Sequence, residues 1–392
     1  MYRRTYLAAA GLAVGSSFAG CLTDSGGEGG ASEGNSLPAG VGIETVAEGL
    51  AYPWSMAFPP DSDSMLVTER DAGRLLRVDR SDGTTTAISG IPDVDSRSQG
   101  GLFDLALQPD SEWLYFTYAA SEGGKTATHL GRGRLQPGAD QLTDVEVVHI
   151  AEPFIDDTGH YGGRVEFGPD GLVYMTVGDR QDKDFTQAHV AQQVDNELGA
   201  TLRLQPTGEA AEDNPFVDRE DAVDTIYSYG HRNAEGMTVH PETGDIWQSE
   251  FGEQNGDEIN IVEQGGNYGW PVADEGCTYG TGEPIGESHD ERDDVIAPVY
   301  SWPCGEGSGF PPCGMDFYAG TAFPDWEGDL FVGGLASNYV VQFAVDGREV
   351  TEKQRLLSDR GWRFRDVAVG PDDAIYVAID ADPAPIKRLV PA

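Results

Sequence analysis

The chain has 392 residues, of which 67 are acidic and 25 basic, giving a formal charge of -42. Such a charge excludes a nucleic-acid surface, because binding to a phosphate backbone is dominated by cations. Hydrophobic residues at 39% and aromatics at 9% exclude a disordered polyelectrolyte and indicate a globule with a core.

The first 20 residues read as a targeting segment, to be set aside from the fold. Arg3-Arg4 precede an apolar run over residues 6–14, and Phe18-Ala19-Gly20-Cys21 follows. A twin arginine, a short apolar stretch and small residues before a cysteine resemble a Tat signal with a lipoprotein box. The run is too short to span a bilayer. Lipidation of Cys21 is therefore expected, with the mature protein exported and anchored to the outer face of the cytoplasmic membrane. Residues 21–40 are rich in Gly, Ser and Glu and read as a flexible acidic tether. The acids are scattered through the remainder rather than gathered in a tail, and lysine occurs only at Lys125, Lys183, Lys353 and Lys387. This composition resembles that of halophilic proteins, whose self-repulsion needs counterions.

Residues 41–392 show no long amphipathic helical pattern. One unit recurs instead: an apolar stretch, a turn of Pro-Asp type, then a strand of alternating apolar residues. The prolines that mark the six copies are Pro59, Pro109, Pro169, Pro241, Pro324 and Pro371, spaced by 50, 60, 72, 83 and 47 residues. Six such units with variable insertions predict an all-β fold, a six-bladed β-propeller. Each hairpin cannot bury both faces alone, whereas stacked blades can. A pair of β-sandwiches is the competing architecture. The longer insertions, in units three to five, are expected to stand on one face and form a ligand cavity there.

The functional candidates are polar residues that interrupt these units. Gln99, beside Gly100-Gly101, can hydrogen-bond a ligand. The loop Gly159-His160-Tyr161-Gly162-Gly163-Arg164 sets one of seven histidines among glycines, where backbone can approach a flat ligand and an imidazole can take a proton near neutral pH. Arg232-Asn233 offers a planar fork and an amide, suited to carboxylate or quinone oxygens. The turn from Ser249 to Asn260 is rich in carboxylates and glycine and suits calcium, although it lacks EF-hand spacing. Cys277, Cys304 and Cys313 allow one disulfide at most, with Cys304–Cys313 the first choice because they bracket a Gly/Pro-rich loop. No CxxC or paired histidine points to zinc. Arg363 and Arg365, two apart on a strand, are expected to point together, which is unfavourable unless an anion lies between them.

Taken in order, these motifs resemble those of the pyrroloquinoline quinone (PQQ)-dependent glucose/sorbosone, or aldose sugar, dehydrogenase family. The match comprises Gln99-Gly100-Gly101, His160 with Gly162-Gly163-Arg164, Tyr229-Gly230-His231-Arg232-Asn233, Gly252 with Asp257-Glu258-Ile259-Asn260, Asn267-Tyr268-Gly269-Trp270-Pro271, and Arg363-Phe364-Arg365-Asp366-Val367. The likeness runs over about residues 49–389. It implies a six-bladed propeller that oxidises aldoses to lactones with PQQ and Ca2+ and passes electrons to an external acceptor. His160 would be the general base. Gln99, Arg232, Asn233, Arg363 and Arg365 would hold PQQ, with Gln99 and Arg164 on the substrate side or supporting the base loop. Gly252 and Glu253 would ligate calcium through their carbonyls, and Glu258 with the Tyr268 carbonyl a second calcium.

Two positions depart from that family. Glu253 stands where proline is usual, and Ala336-Ser337-Asn338 follows Leu335 where relatives carry a lysine. The second change removes a cation from the cofactor. A propeller binding module that has lost PQQ, and a calcium-dependent lactonase, are the rival readings.

Overall fold

The computed structural model describes residues 37–305 and 309–392. The targeting segment, Cys21 and most of the tether lie outside the described residues. The rest is built almost entirely of β-strands, with three single-turn 3-10 helices and no α-helix among the described residues.

Six four-stranded antiparallel sheets form the six blades of a β-propeller. Their first strands are Pro53–Ala57, Leu102–Leu107, Val165–Phe167, Ala234–Val239, Pro312–Phe317 and Phe364–Val369. Each of these packs beside the first strand of the next blade, and the last returns to the first, so they line a central channel. The recurring sequence unit is thus the two inner strands of each blade with their turn. In the third blade, Asp170 accepts from Leu172 N–H at 3.0 Å and from the Tyr174 hydroxyl at 3.1 Å. In the sixth blade, Asp372 accepts from the Tyr376 hydroxyl at 2.9 Å. Both tyrosine rings lie against the glycine that opens the turn, Gly168 or Gly370. A Cβ at either would sit 2.4 Å from a ring carbon, so only glycine fits.

Second strands such as Val173–Val177 and Ile375–Ile379 are buried along their whole length. They lie between neighbouring blades, so both faces are covered and the alternation expected from the sequence does not leave one face exposed. The core is accordingly divided among the blade interfaces. Tyr115 and Leu130 of the second blade pack with Val173, Met175 and Leu202 of the third. Phe331 and Val340 of the fifth pack with Phe364 and Val377 of the sixth.

The ring is closed by the first described strand, Val41–Leu50, which joins the sixth blade as its outer strand. It pairs antiparallel with Ala384–Pro391, Val41 opposite Pro391. The fourth blade carries the largest elaboration, a separate hairpin of Ala273–Cys277 and Pro284–Gly286.

The disulfide corrects the sequence expectation: Cys277 bonds Cys304, and Cys313 is free and buried. Cys313 lies on an innermost strand, beside Arg365 and Glu235, out of reach of the loop. Burial pushes its thiol up to about 12, so it is inert as a nucleophile.

Candidate functional site

Loops that precede the inner strands build two adjoining cavities. One, of about 450 Å³, is lined by Gln99, His160, Gln181, Lys183, Arg232, Phe251, Gly252, Glu253, Asp257 and Tyr279 among others. The second, of about 240 Å³, includes Trp54, Arg70, Gln99, Phe251, Leu335, Arg363, Arg365 and Asp380. Gln99 and Phe251 line both, so the two cavities share a wall.

His160 sits in the left-handed backbone region, φ +44°, which a non-glycine residue rarely adopts. The loop is held there from several sides. Its N–H donates to Gln99 Oε1 at 2.7 Å. The next residue but one, Gly162, donates its N–H to Asn233 Oδ1 at 3.0 Å. Gly178 passes so close beneath that a Cβ would lie 2.2 Å from the His160 carbonyl oxygen. The ring is oriented by Asp179, whose Oδ1 is 2.7 Å from His160 Nδ1. A carboxylate partner makes Nδ1 the donor and leaves Nε2 as the acceptor. Asp179 is fixed in turn by the Trp270 indole N–H at 2.8 Å and the Gln181 backbone N–H at 2.9 Å. Burial opposes charge on Asp179, but His160, Arg232 and His189 outweigh it and hold its carboxyl below the usual range. The result is an imidazole fixed through Nδ1 by a carboxylate that its surroundings keep ionised, with Nε2 left free to accept.

Arg232 is buried with its guanidinium 5.2 Å from the Trp270 ring. Its Nη2 lies 2.6 Å from Glu253 Oε2, and its Nη1 donates to the Phe251 carbonyl at 3.2 Å. Lys183 Nζ lies 2.9 and 2.8 Å from the two Glu253 oxygens. Burial raises the Glu253 carboxyl, yet these two cations bring it below its ordinary value. Asp257 lies in the same cavity without such a partner, and burial pushes it up to about 6.

Arg363 and Arg365 do not share one environment as strict alternation predicts. The register shifts between Phe364 and Asp366. The Arg363 side chain is 46% exposed and that of Arg365 only 4%. Both nevertheless reach Asp380, at 3.1 and 3.4 Å. The anion expected between them is therefore supplied by this chain. Arg365 is also ion-paired with Glu235.

The structure does not bring every candidate to these cavities. Asn233 is buried, and its amide links the His160 loop to Glu235. Arg164 lines a different cavity, of about 260 Å³, with residues further along the inner strands. There it pairs with Asp104 at 3.3 Å and Asp366 at 3.1 Å and lies 4.2 Å from the Trp54 ring. Glu258 and Tyr268 belong to a buried group behind the His160 cavity. Burial, then the Glu250 carboxylate, push Glu258 well above its usual range; burial, then Glu258, do the same to Asp274. Asn260 Oδ1 has no partner there among the described residues. The Tyr268 carbonyl is 3.2 Å from His289 Nε2. Among the described residues, no group of three or more His, Cys, Asp or Glu side chains is arranged to hold a metal ion. Ala336 is exposed and adds no cation.

Sequence reasoning missed Asp179, Lys183, Asp380 and Glu235. Only Asp179 left a trace, as Gly178-Asp179 at the end of a strand.

A six-bladed propeller with a buried, carboxylate-oriented histidine among arginines at one mouth defines a class, and comparison with known proteins gives its family. Residues 50–388 match the family model for glucose / sorbosone dehydrogenase, and the chain belongs to that family. It is an oxidoreductase acting on sugars. The aldose sugar dehydrogenase YliI of Escherichia coli K12 is 37% identical over 362 residues, 90% of this chain and 94% of the relative. The apo-form crystal structure of the soluble aldose sugar dehydrogenase from E. coli superposes with a TM-score of 0.83 at 35% identity, covering 90% of this chain and all of that one. The PQQ-bound form of the Streptomyces coelicolor aldose sugar dehydrogenase superposes with a TM-score of 0.71 at 27% identity, covering 90% and 99%.

Proposed function

We propose that the protein is a quinoprotein aldose dehydrogenase. It oxidises aldoses to lactones with PQQ and calcium and passes the electrons to an external acceptor. The observation that carries this reading is the His160–Asp179 pair opening on a cavity that it shares with Gln99 and Arg232. With Nδ1 fixed by Asp179, His160 Nε2 takes the proton of the anomeric hydroxyl, and Asp179 stabilises the imidazolium that results. Arg232, Arg363, Arg365 and Gln99 would hold PQQ, whose carboxylates suit guanidinium forks. The residues fit such a ligand: Nε of Arg232 and of Arg365 are buried without a hydrogen-bond partner among the described residues. When bound, PQQ supplies the two-electron acceptor for the sugar hydride. Gly252 and Glu253 would hold calcium through backbone carbonyls, as hard oxygen donors do. The Glu258, Asp274 and Asn260 oxygens have the donor chemistry for a second hard cation.

Reconstitution of apoprotein in high salt with PQQ and calcium tests the reading. Quinone absorbance should show uptake, and aldoses should then reduce an artificial dye. Uptake without reduction would indicate a binding module; lactone hydrolysis with no uptake would indicate a lactonase.

We also propose export and anchoring through Cys21, supported by Arg3-Arg4 and Ala19-Gly20-Cys21. Intact mass spectrometry of membrane fractions should show a diacylglyceryl-sized addition on a chain that starts at Cys21. A soluble product retaining Met1 would overturn this.

A further inference from the structure

The cavity of His160 contains a lysine on a loop unrelated to residues 335–338. Lys183 holds both oxygens of Glu253, and Glu253 Oε2 also touches Arg232. Glu253 occupies the position where the family usually has proline, so the carboxylate is a departure of this chain from that pattern. Glu253 and Arg232 are buried, while the Lys183 side chain is 53% exposed.

A buried carboxylate in contact with one arginine cancels most of that arginine's attraction for an incoming anion. Left with Arg232 alone, Glu253 would do this at the residue best placed to bind a carboxylate beside His160. With Lys183 gripping both of its oxygens, Glu253 has a second cation to rest on. The group of three then keeps a net positive charge, and the Arg232 fork can exchange its internal partner for an external one.

We infer that Lys183 is a positioning residue that acts through Glu253: it shares the Glu253 carboxylate with Arg232 and retains it when Arg232 exchanges that internal partner for a carboxylate of the anionic cofactor. This rests on the quinone reading given above. Two simpler arrangements differ from it in their consequences. If Lys183 met the ligand itself, its removal would weaken binding whatever stood at position 253. If the three side chains formed an inert structural bridge, its removal would leave binding unchanged.

A double-mutant cycle separates these. PQQ is titrated into wild type, Lys183→Met, Glu253→Gln and the double variant, all as apoprotein at saturating calcium and without sugar. Binding is read by quenching of tryptophan fluorescence, for which Trp270 beside Arg232 is the local reporter. Lys183→Met should weaken binding about tenfold and Glu253→Gln should tighten it severalfold, a coupling within the range seen for residues in one network. The double variant should bind as Glu253→Gln does, because lysine has no further work once position 253 is neutral. Equal weakening by Lys183→Met in both backgrounds, or no weakening in either, overturns the inference. If Glu253→Gln fails to fold by circular dichroism, Glu253→Pro, which restores the usual family residue, takes its place in the cycle with the same expectations. Absence of any quenching in folded wild type would remove the quinone reading itself and this inference with it; additive effects in proteins that do bind would remove the inference alone.

Discussion

The two ends of the inner strands bury charge in opposite ways. Where the strands begin, Lys183, Arg232, Arg363 and Arg365 face Glu253, Asp380 and Glu235. Cations there outweigh burial and keep Glu253 and Asp380 below their ordinary values. Further along the same strands, Asp104, Glu166, Asp316 and Asp366 line one cavity with Arg164 as its only arginine or lysine among the described residues. Burial there pushes Glu166 and Asp366 up to about 7 and Asp316 up to about 6. Several cations around a buried carboxyl lower it, whereas one arginine shared among four carboxyls does not offset their burial. The first end therefore presents cations beside its cavity, whereas at the second burial raises the carboxyls of Glu166, Asp316 and Asp366.

The largest effect that would sharpen this contrast lies at the first end. His160→Gln should lower kcat for sugar oxidation by about 10²–10⁴-fold, the usual worth of a general base, with PQQ uptake nearly unchanged. Asp179→Asn should follow it, because an amide no longer stabilises the imidazolium. Wild-type turnover of His160→Gln at saturating cofactor would place the base elsewhere.

Next comes the lone cation of the second end. Arg164→Met leaves Asp104 and Asp366 buried without their partner, and should cost about 3–5 kcal/mol in chemical denaturation. A loss confined to activity would instead assign Arg164 to the substrate.

The pH dependence of stability gives a smaller, signed test. Glu166 has a folded value raised to about 7 by burial, next to Asp104, Asp316 and Arg164. Its folded state therefore binds the proton more tightly than the unfolded chain does. The stability it contributes is complete below the unfolded value and is lost as pH rises through about 7. Glu166→Gln should flatten the fall in stability between roughly pH 4 and 8 by about 1–3 kcal/mol. An unchanged slope would show that Glu166 is not the titrating group.

The smallest effect is expected at Arg363, the most exposed of the three arginines. Arg363→Ala should weaken PQQ binding about tenfold, with the rate restored at high PQQ, since exposed ion pairs contribute little. A rate that PQQ does not restore would give Arg363 a role in the chemical step.

The contrast also explains what was legible in the sequence. The blades were, because each inner hairpin carries its own turn residues, such as Gly168-Pro169-Asp170 bonded to Tyr174 four residues on. The conformation of the His160 loop was too, since its tight turns need their glycines next to it in the chain. The partners were not. Asp179 lies 19 residues from His160 and Glu253 lies 70 from Lys183, and such pairings arise only when separate loops meet over the channel. The same reason defeats the expected Cys304–Cys313 bond: nearness in sequence gives no hint that Cys277, on a hairpin outside the blades, faces Cys304.

The closing strand has a topological consequence. Val41 lies opposite Pro391, and the Ala392 amide donates to the Gly40 carbonyl at 2.9 Å. The first and last described strands thus meet in one sheet, and the position of that seam is arbitrary with respect to the six blades. A circularly permuted protein, joined across this seam by a short flexible linker and reopened at the Gly123-Gly124 hairpin tip, should assemble the same cavities. Both glycines there have open space around them, on the second blade rather than the sixth that carries the seam.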